Sequence, residues 1–76
     1  MAIVRDLIKL EMEKQSAHSE VKATYSVLTT EDGTCLQIDT YGSITRELLG
    51  KKSQSIRLTK EALSQLVQII NENKLI

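Results

Sequence analysis

A hairpin signal in the middle of the chain constrains the fold most. The runs Thr24–Thr30 and Cys35–Tyr41 are rich in β-forming residues, and the pair Asp32-Gly33 lies between them. Glycine readily adopts the positive φ that a tight hairpin turn demands. The sequence therefore predicts two antiparallel strands joined by a turn with Asp32 and Gly33 at its centre.

This turn also predicts which side chains share a face of the hairpin. With Asp32 and Gly33 at the centre, Val27 pairs with Ile38, and paired residues point to the same side of the sheet. One face is then apolar and carries Tyr25, Val27, Leu36 and Ile38, whereas the other carries Lys22, Thr24, Ser26, Gln37, Asp39 and Tyr41, with Leu28 and Cys35 as exceptions. We expect the apolar face to point inward.

A further strand and a helix follow. The segment Gln54–Leu58 alternates, which predicts a strand with Ile56 and Leu58 inward. The segment Thr59–Asn73 has apolar residues at three- and four-residue spacing, which predicts a helix. Thr59 is a good N-cap, and Glu61 in the first turn suits the positive end of the helix dipole.

The N-terminus fits two interpretations. A helical stripe of Ile3, Val4, Leu7 and Ile8 is one, and a strictly alternating strand over Ile8–Glu13, with Ile8, Leu10 and Met12 inward, is the other. We favour the strand, because a fourth strand gives the single helix a broader apolar face to cover. The expected fold is α+β, with an antiparallel four-stranded β-sheet followed by one C-terminal α-helix, in a single domain over residues 1–76.

Composition narrows the classes of function. A chain of 76 residues buries only ~60% of its unfolded surface, so a second subunit is a natural way to enlarge the core. Ten basic and ten acidic residues cancel, and we find neither a secretory signal nor an apolar run of membrane-spanning length. We expect a cytoplasmic protein with no membrane partner. One Cys and one His cannot by themselves complete a zinc site, so a metal would have to be shared between subunits. We expect no cofactor.

Catalytic chemistry is also not expected. The unique Cys35 and His18 invite a nucleophilic pair, but a Cys on a strand is more often a packing residue. Asp39 has no second carboxylate on a neighbouring position for acid-base work. The segment that begins at Gly42 and ends at Arg46 is not a phosphate-binding loop, because it has neither the closely spaced glycines nor the Lys-Ser/Thr end of such a loop. We therefore predict that the protein is not an enzyme.

The charge is unevenly distributed along the neutral chain. Residues 34–60 carry five basic and two acidic side chains, whereas the flanking segments are both net acidic. Cations beside an aromatic ring and small polar groups suit a surface for single-stranded nucleic acid. The candidate binding residues, from this basic middle and from the polar face, are Lys22, Tyr41, Arg46, Lys51, Lys52 and Arg57.

The order of elements carries a family resemblance. Four segments of the chain, taken in order, resemble the single-stranded-DNA-binding transcriptional coactivators known as positive cofactor four. These segments are Leu36–Asp39, Gly50–Lys52, Ser55–Leu58 and Ala62–Leu66. The chain is also similar to small uncharacterised bacterial proteins. The coactivator resemblance implies a homodimer whose helices pack together and whose curved sheets form a groove for single-stranded DNA. It also implies that Lys51 and Lys52 contact phosphates. The sequence does not distinguish single-stranded DNA from RNA as the ligand.

A protein-protein adaptor or regulatory subunit is the competing hypothesis. Leu48 and Leu49 lie in an otherwise polar loop, and Leu75 and Ile76 are the last residues, so these apolar groups have no obvious place in a small monomeric core. They could contact a protein partner. Alternatively, the loop folds back over the sheet edge and the tail packs beside the last helical turn.

Overall fold

The computed structural model describes residues 1–11, 15–31, 33–42 and 52–76. Within these residues the chain forms strands β1 (Ala2–Val4), β2 (Ala23–Thr30), β3 (Gly33–Tyr41) and β4 (Lys52–Leu58), followed by helix α1 (Lys60–Glu72). The prediction of an α+β fold with four strands before a C-terminal helix is therefore confirmed.

The sheet is mixed, so the prediction of a purely antiparallel sheet is wrong. The strand order is β1-β4-β3-β2. The β2–β3 pair and the β3–β4 pair are antiparallel. β1 pairs with β4 in parallel, with Ala2 opposite Ile56 and Val4 opposite Leu58. Alternation along a strand does not determine its direction in a sheet. The direction of β1 depends on how the long connection to β2 crosses the molecule.

The N-terminal strand lies earlier than predicted. It covers Ala2–Val4, whereas residues 5–11 have no regular structure and Ile8 and Leu10 are 86% and 79% exposed. The prediction that Ile8 and Leu10 point inward is wrong, and the rest of that predicted strand lies partly outside the described residues. The side chain of Gln65 holds this segment against the helix instead. Its Oε1 accepts the backbone N–H of Leu7 at 2.8 Å, and its Nε2 donates to Asp6 Oδ1 at 3.0 Å.

The hairpin register differs from the predicted one by two residues. Tyr25 lies opposite Ile38, and the last pair before the turn is Thr30 with Gly33. Gly33 therefore begins β3, with φ of 107°, instead of sitting at the centre of the turn. An even shift keeps every side chain on its predicted face, because the side-chain period of a strand is two.

The helix begins where the sequence predicts. Thr59 is the N-cap, and its Oγ1 accepts the backbone N–H of Ala62 at 3.3 Å. The pKa of Glu61 is lowered, first by a hydrogen bond from its own backbone N–H and then by one from the Thr59 side chain. The helix ends at Glu72 with Asn73 as C-cap. No helix in the described part of the chain is long and apolar enough to cross a membrane.

The apolar face of the sheet is largely uncovered, contrary to the prediction that it points inward. Tyr25 is 74% exposed, Val27 66% and Ile56 37%. The helix contacts β3 and β4, and the buried apolar residues include Leu58 of β4 and Ala62 of the helix itself. Among the described residues, no large side chain is fully buried. The one helix in the described part of the chain leaves the β2 edge of this face uncovered.

Candidate nucleic-acid interface

The polar face of the sheet centres on β3. Along this strand Cys35, Gln37, Asp39 and Tyr41 alternate onto one face, and all four are buried. Strand β3 lies between β2 and β4, so polar residues of both neighbours can reach its side chains. The polar pattern of the sequence thus produces a row of buried polar groups in the middle of the sheet.

Asp39 is the centre of a hydrogen-bond network. Gln37 Nε2 donates to both of its carboxylate oxygens, at 3.0 and 3.2 Å, and Ser55 Oγ donates to Oδ1. Lys52 Nζ lies 3.1 Å from Oδ2 and forms an ion pair. The hydrogen bond from Ser55, followed by the contacts with Lys52 and Gln37, lowers the pKa of Asp39, although burial acts in the opposite direction. Asp39 is therefore ionised at neutral pH.

Arg57 joins the same network through Gln37. Its Nε donates to Gln37 Oε1 at 2.8 Å, so the one amide accepts from Arg57 and donates to Asp39. Arginine has five N–H donors, and this bond uses only the one on Nε. The bond with Gln37 orients the half-buried Arg57, and the terminal amino groups of the guanidinium lie outside this contact.

Tyr41 lies on the polar face as predicted, but the expectation of an exposed ring is wrong. The residue is only 9% exposed, and its hydroxyl lies 3.0 Å from Thr24 Oγ1. Its backbone N–H donates to the carbonyl of Lys22 at 3.0 Å. Tyr41 joins β2 to β3 and places Lys22 beside the polar row.

The cations predicted for binding fall into two groups. Lys22 is exposed, the Lys52 side chain is 54% exposed and Arg57 is half-buried, and all three lie on or beside the polar face. Arg46 and Lys51 lie outside the described residues, as do Leu48 and Leu49 of the predicted partner surface.

Sequence reasoning missed the residues that orient these cations. The sequence pattern places Gln37 and Asp39 on the polar face but gives neither of them nor Ser55 a role in binding. The available signal was their alternation on neighbouring strands, with basic side chains at Lys52 and Arg57 of the same strand as Ser55. A buried carboxylate must find donors, and these are the nearest ones.

The other titratable candidates are not brought into a reactive arrangement. Cys35 is buried in β3, and His18 is exposed in the segment between β1 and β2. Within the part of the chain that the structure describes, no three His, Cys, Asp or Glu side chains are grouped as metal ligands.

Comparisons with known proteins return no match to this chain from family models, curated proteins or solved structures. The resemblance to the coactivator family stays a prediction.

Proposed function

We propose that the protein binds single-stranded nucleic acid through the polar face of its sheet, as a homodimer that presents this face twice. One observation carries the proposal: Lys22, Lys52 and Arg57 lie on or beside one face, and buried side chains orient two of them. Such a protein would act as a cofactor in transcription or DNA metabolism, in line with the family resemblance.

Charge on this face favours a phosphate backbone. Among the described residues of this face, Lys22, Lys52 and Arg57 carry positive charge, and Asp39, which is 2% exposed and paired with Lys52, carries negative charge. Contacts between cations and phosphates supply affinity without reading sequence, and they weaken as salt rises. Because Asp39 offsets part of the charge, we expect weak to moderate affinity for each copy.

The position of Tyr41 changes how bases would be held. A ring that is 9% exposed and joined to Thr24 offers little surface for stacking. Hydroxyl groups of Thr24 and Ser26 lie on the same face and can donate to or accept from bases. The proposed binding therefore depends on phosphate contacts more than on stacking.

The test is binding of labelled oligothymidine, followed by fluorescence anisotropy over a salt series. We expect tighter binding than to duplex of equal length, and weaker binding for Lys22→Ala and for Lys51→Ala/Lys52→Ala. Each lost phosphate contact should reduce the slope of log affinity against log salt by about 0.7.

Lys60→Ala is the matched control, because it removes the same charge from the first residue of α1. It should leave the affinity and the salt slope unchanged. Absence of binding at low salt and high protein concentration would overturn the proposal, and so would equal weakening by Lys60→Ala.

A protein-protein adaptor is the second candidate, favoured by the exposure of Tyr25 and Val27. It predicts that oligothymidine does not bind. In that case the variants at Lys22 and Lys52 leave the partner interaction intact, because they lie on the opposite face.

A further inference from the structure

The uncovered side of the sheet forms a continuous apolar row. Ala2, Ile56, Ile38 and Tyr25 lie opposite one another across all four strands, one from each. Together with Val27 they make what we call the open apolar face. Among its large side chains, exposure is highest at the β2 edge, where Tyr25 and Val27 are 74% and 66% exposed.

The chain exposes more surface than a folded monomer of its size. Its accessible area is 6854 Å². A monomeric protein of 8.5 kDa exposes about 4,700 Å² by the usual scaling. The difference exceeds the ~800 Å² that each partner buries in a standard protein interface. The area that a dimer interface requires is therefore available on this chain, and Tyr25 and Val27 supply part of it.

The open apolar face has complementary features at its two edges. Tyr25 projects at the β2 edge, and a hollow of about 420 Å³ at the other side is lined in part by Met1, Ala2, Ile38 and Ile56. A two-fold axis parallel to the strands and midway between β3 and β4 exchanges the positions of β2 and β1. It places Tyr25 over the hollow beside the partner subunit's Ala2. In a two-fold interface each such contact occurs twice.

We propose that a second copy of this chain covers the open apolar face, with Tyr25 of each copy seated in the hollow of the other. This inference rests on the homodimer in the proposed function and assigns its interface to the sheet face instead of to the helices. The polar faces then lie on the two outer surfaces, where both remain open to nucleic acid.

Sedimentation velocity of the full chain, without nucleic acid, tests the interface. We expect the wild type to sediment as a dimer and Tyr25→Lys and Val27→Lys to show half that mass. The matched control is Val67→Lys on α1, where the side chain is 58% exposed, and it should remain dimeric. A monomeric wild type, or dissociation by Val67→Lys, would overturn the assignment to the sheet face.

Cross-linking keeps the test valid if a lysine variant fails to fold. In Ala2→Cys/Tyr25→Cys the two positions of one chain are three strand spacings apart, about 14 Å, too far for a disulfide within the chain. Mild oxidation should therefore give a covalent dimer, whereas Ala2→Cys/Thr24→Cys, with its second cysteine on the polar face, should not. Equal cross-linking of both variants would contradict the proposal. A dimer that does not bind oligothymidine would leave this interface standing and overturn only the nucleic-acid proposal.

Discussion

At the scale of single residues, Asp39 shows how this sheet accommodates a buried charge. An ionised carboxylate is costly to remove from water unless it is paired and hydrogen-bonded. Asp39 receives donors from Gln37, Ser55 and Lys52, each on β3 or β4. These contacts stabilise the charged form, and they orient the cation that we assign to phosphate binding.

The lowered pKa of Asp39 predicts a loss of stability in acid. A carboxyl with a folded-state pKa below its usual value of about 3.9 stabilises the fold above that pH. The contribution is lost as pH falls through the folded-state pKa. We expect Asp39→Asn to lower the midpoint of thermal unfolding at neutral pH. The gap from wild type should narrow below about pH 4.

Circular dichroism melts of both proteins from neutral to strongly acidic pH measure this gap. The pKa of Glu61 is also lowered, but this residue is present in both proteins, so its titration cancels in the comparison. A gap that stays constant throughout the acid range would show that the charge of Asp39 does not stabilise the fold.

At the scale of elements, the hairpin depends on one backbone conformation. Gly33 has φ of 107°, which side-chain-bearing residues rarely adopt. Thr30 Oγ1 also donates to the carbonyl of Gly33 at 3.2 Å, next to the turn. The conformation at Gly33 sets the register of β2 on β3. The register in turn sets which side chains of β2 lie beside Asp39.

We expect Gly33→Ala to destabilise the protein by about 1–3 kcal/mol through backbone strain alone. Gly42→Ala is the control, because a Cβ at either glycine meets no atom within 4 Å and only Gly33 has a positive φ. The control should change the free energy of unfolding by less than about 1 kcal/mol. Urea unfolding measures both, and equal losses would show that the strain at Gly33 is not the cause.

At the scale of the whole molecule, the two faces of the sheet have different tasks. The polar face holds its own side chains in place, as the buried Gln37 and Asp39 show. The apolar face leaves Tyr25 and Val27 exposed to solvent, and in the dimer that we propose the second copy covers them. Folding and assembly are therefore expected to be coupled.

This coupling predicts that the midpoint of thermal unfolding rises with protein concentration, because mass action favours the folded dimer. Tyr25→Lys should melt at a lower temperature, and its midpoint should not depend on concentration. Calorimetry across a wide concentration range tests both. A wild-type midpoint that does not move with concentration would separate the stability of the fold from assembly.

The sequence alone determined the features that depend on neighbours along the chain. Alternation and spacing give the order of the central strands and the helix, and the face on which each hairpin residue lies. The capping signal gives the N-cap at Thr59. These signals act within a few residues and do not require the rest of the fold.

Only the tertiary structure decided the features that join distant segments. This group includes the parallel pairing of β1 with β4 and the two-residue shift in the hairpin. It also includes the network around Asp39 and the exposure of Tyr25. An alternating pattern identifies two faces but does not state which face is covered, because coverage depends on the area and position of the helix that packs on it. Here the helix leaves Tyr25 and Val27 of the apolar face exposed, whereas Gln37 and Asp39 of the polar face are buried among the side chains that bond to them.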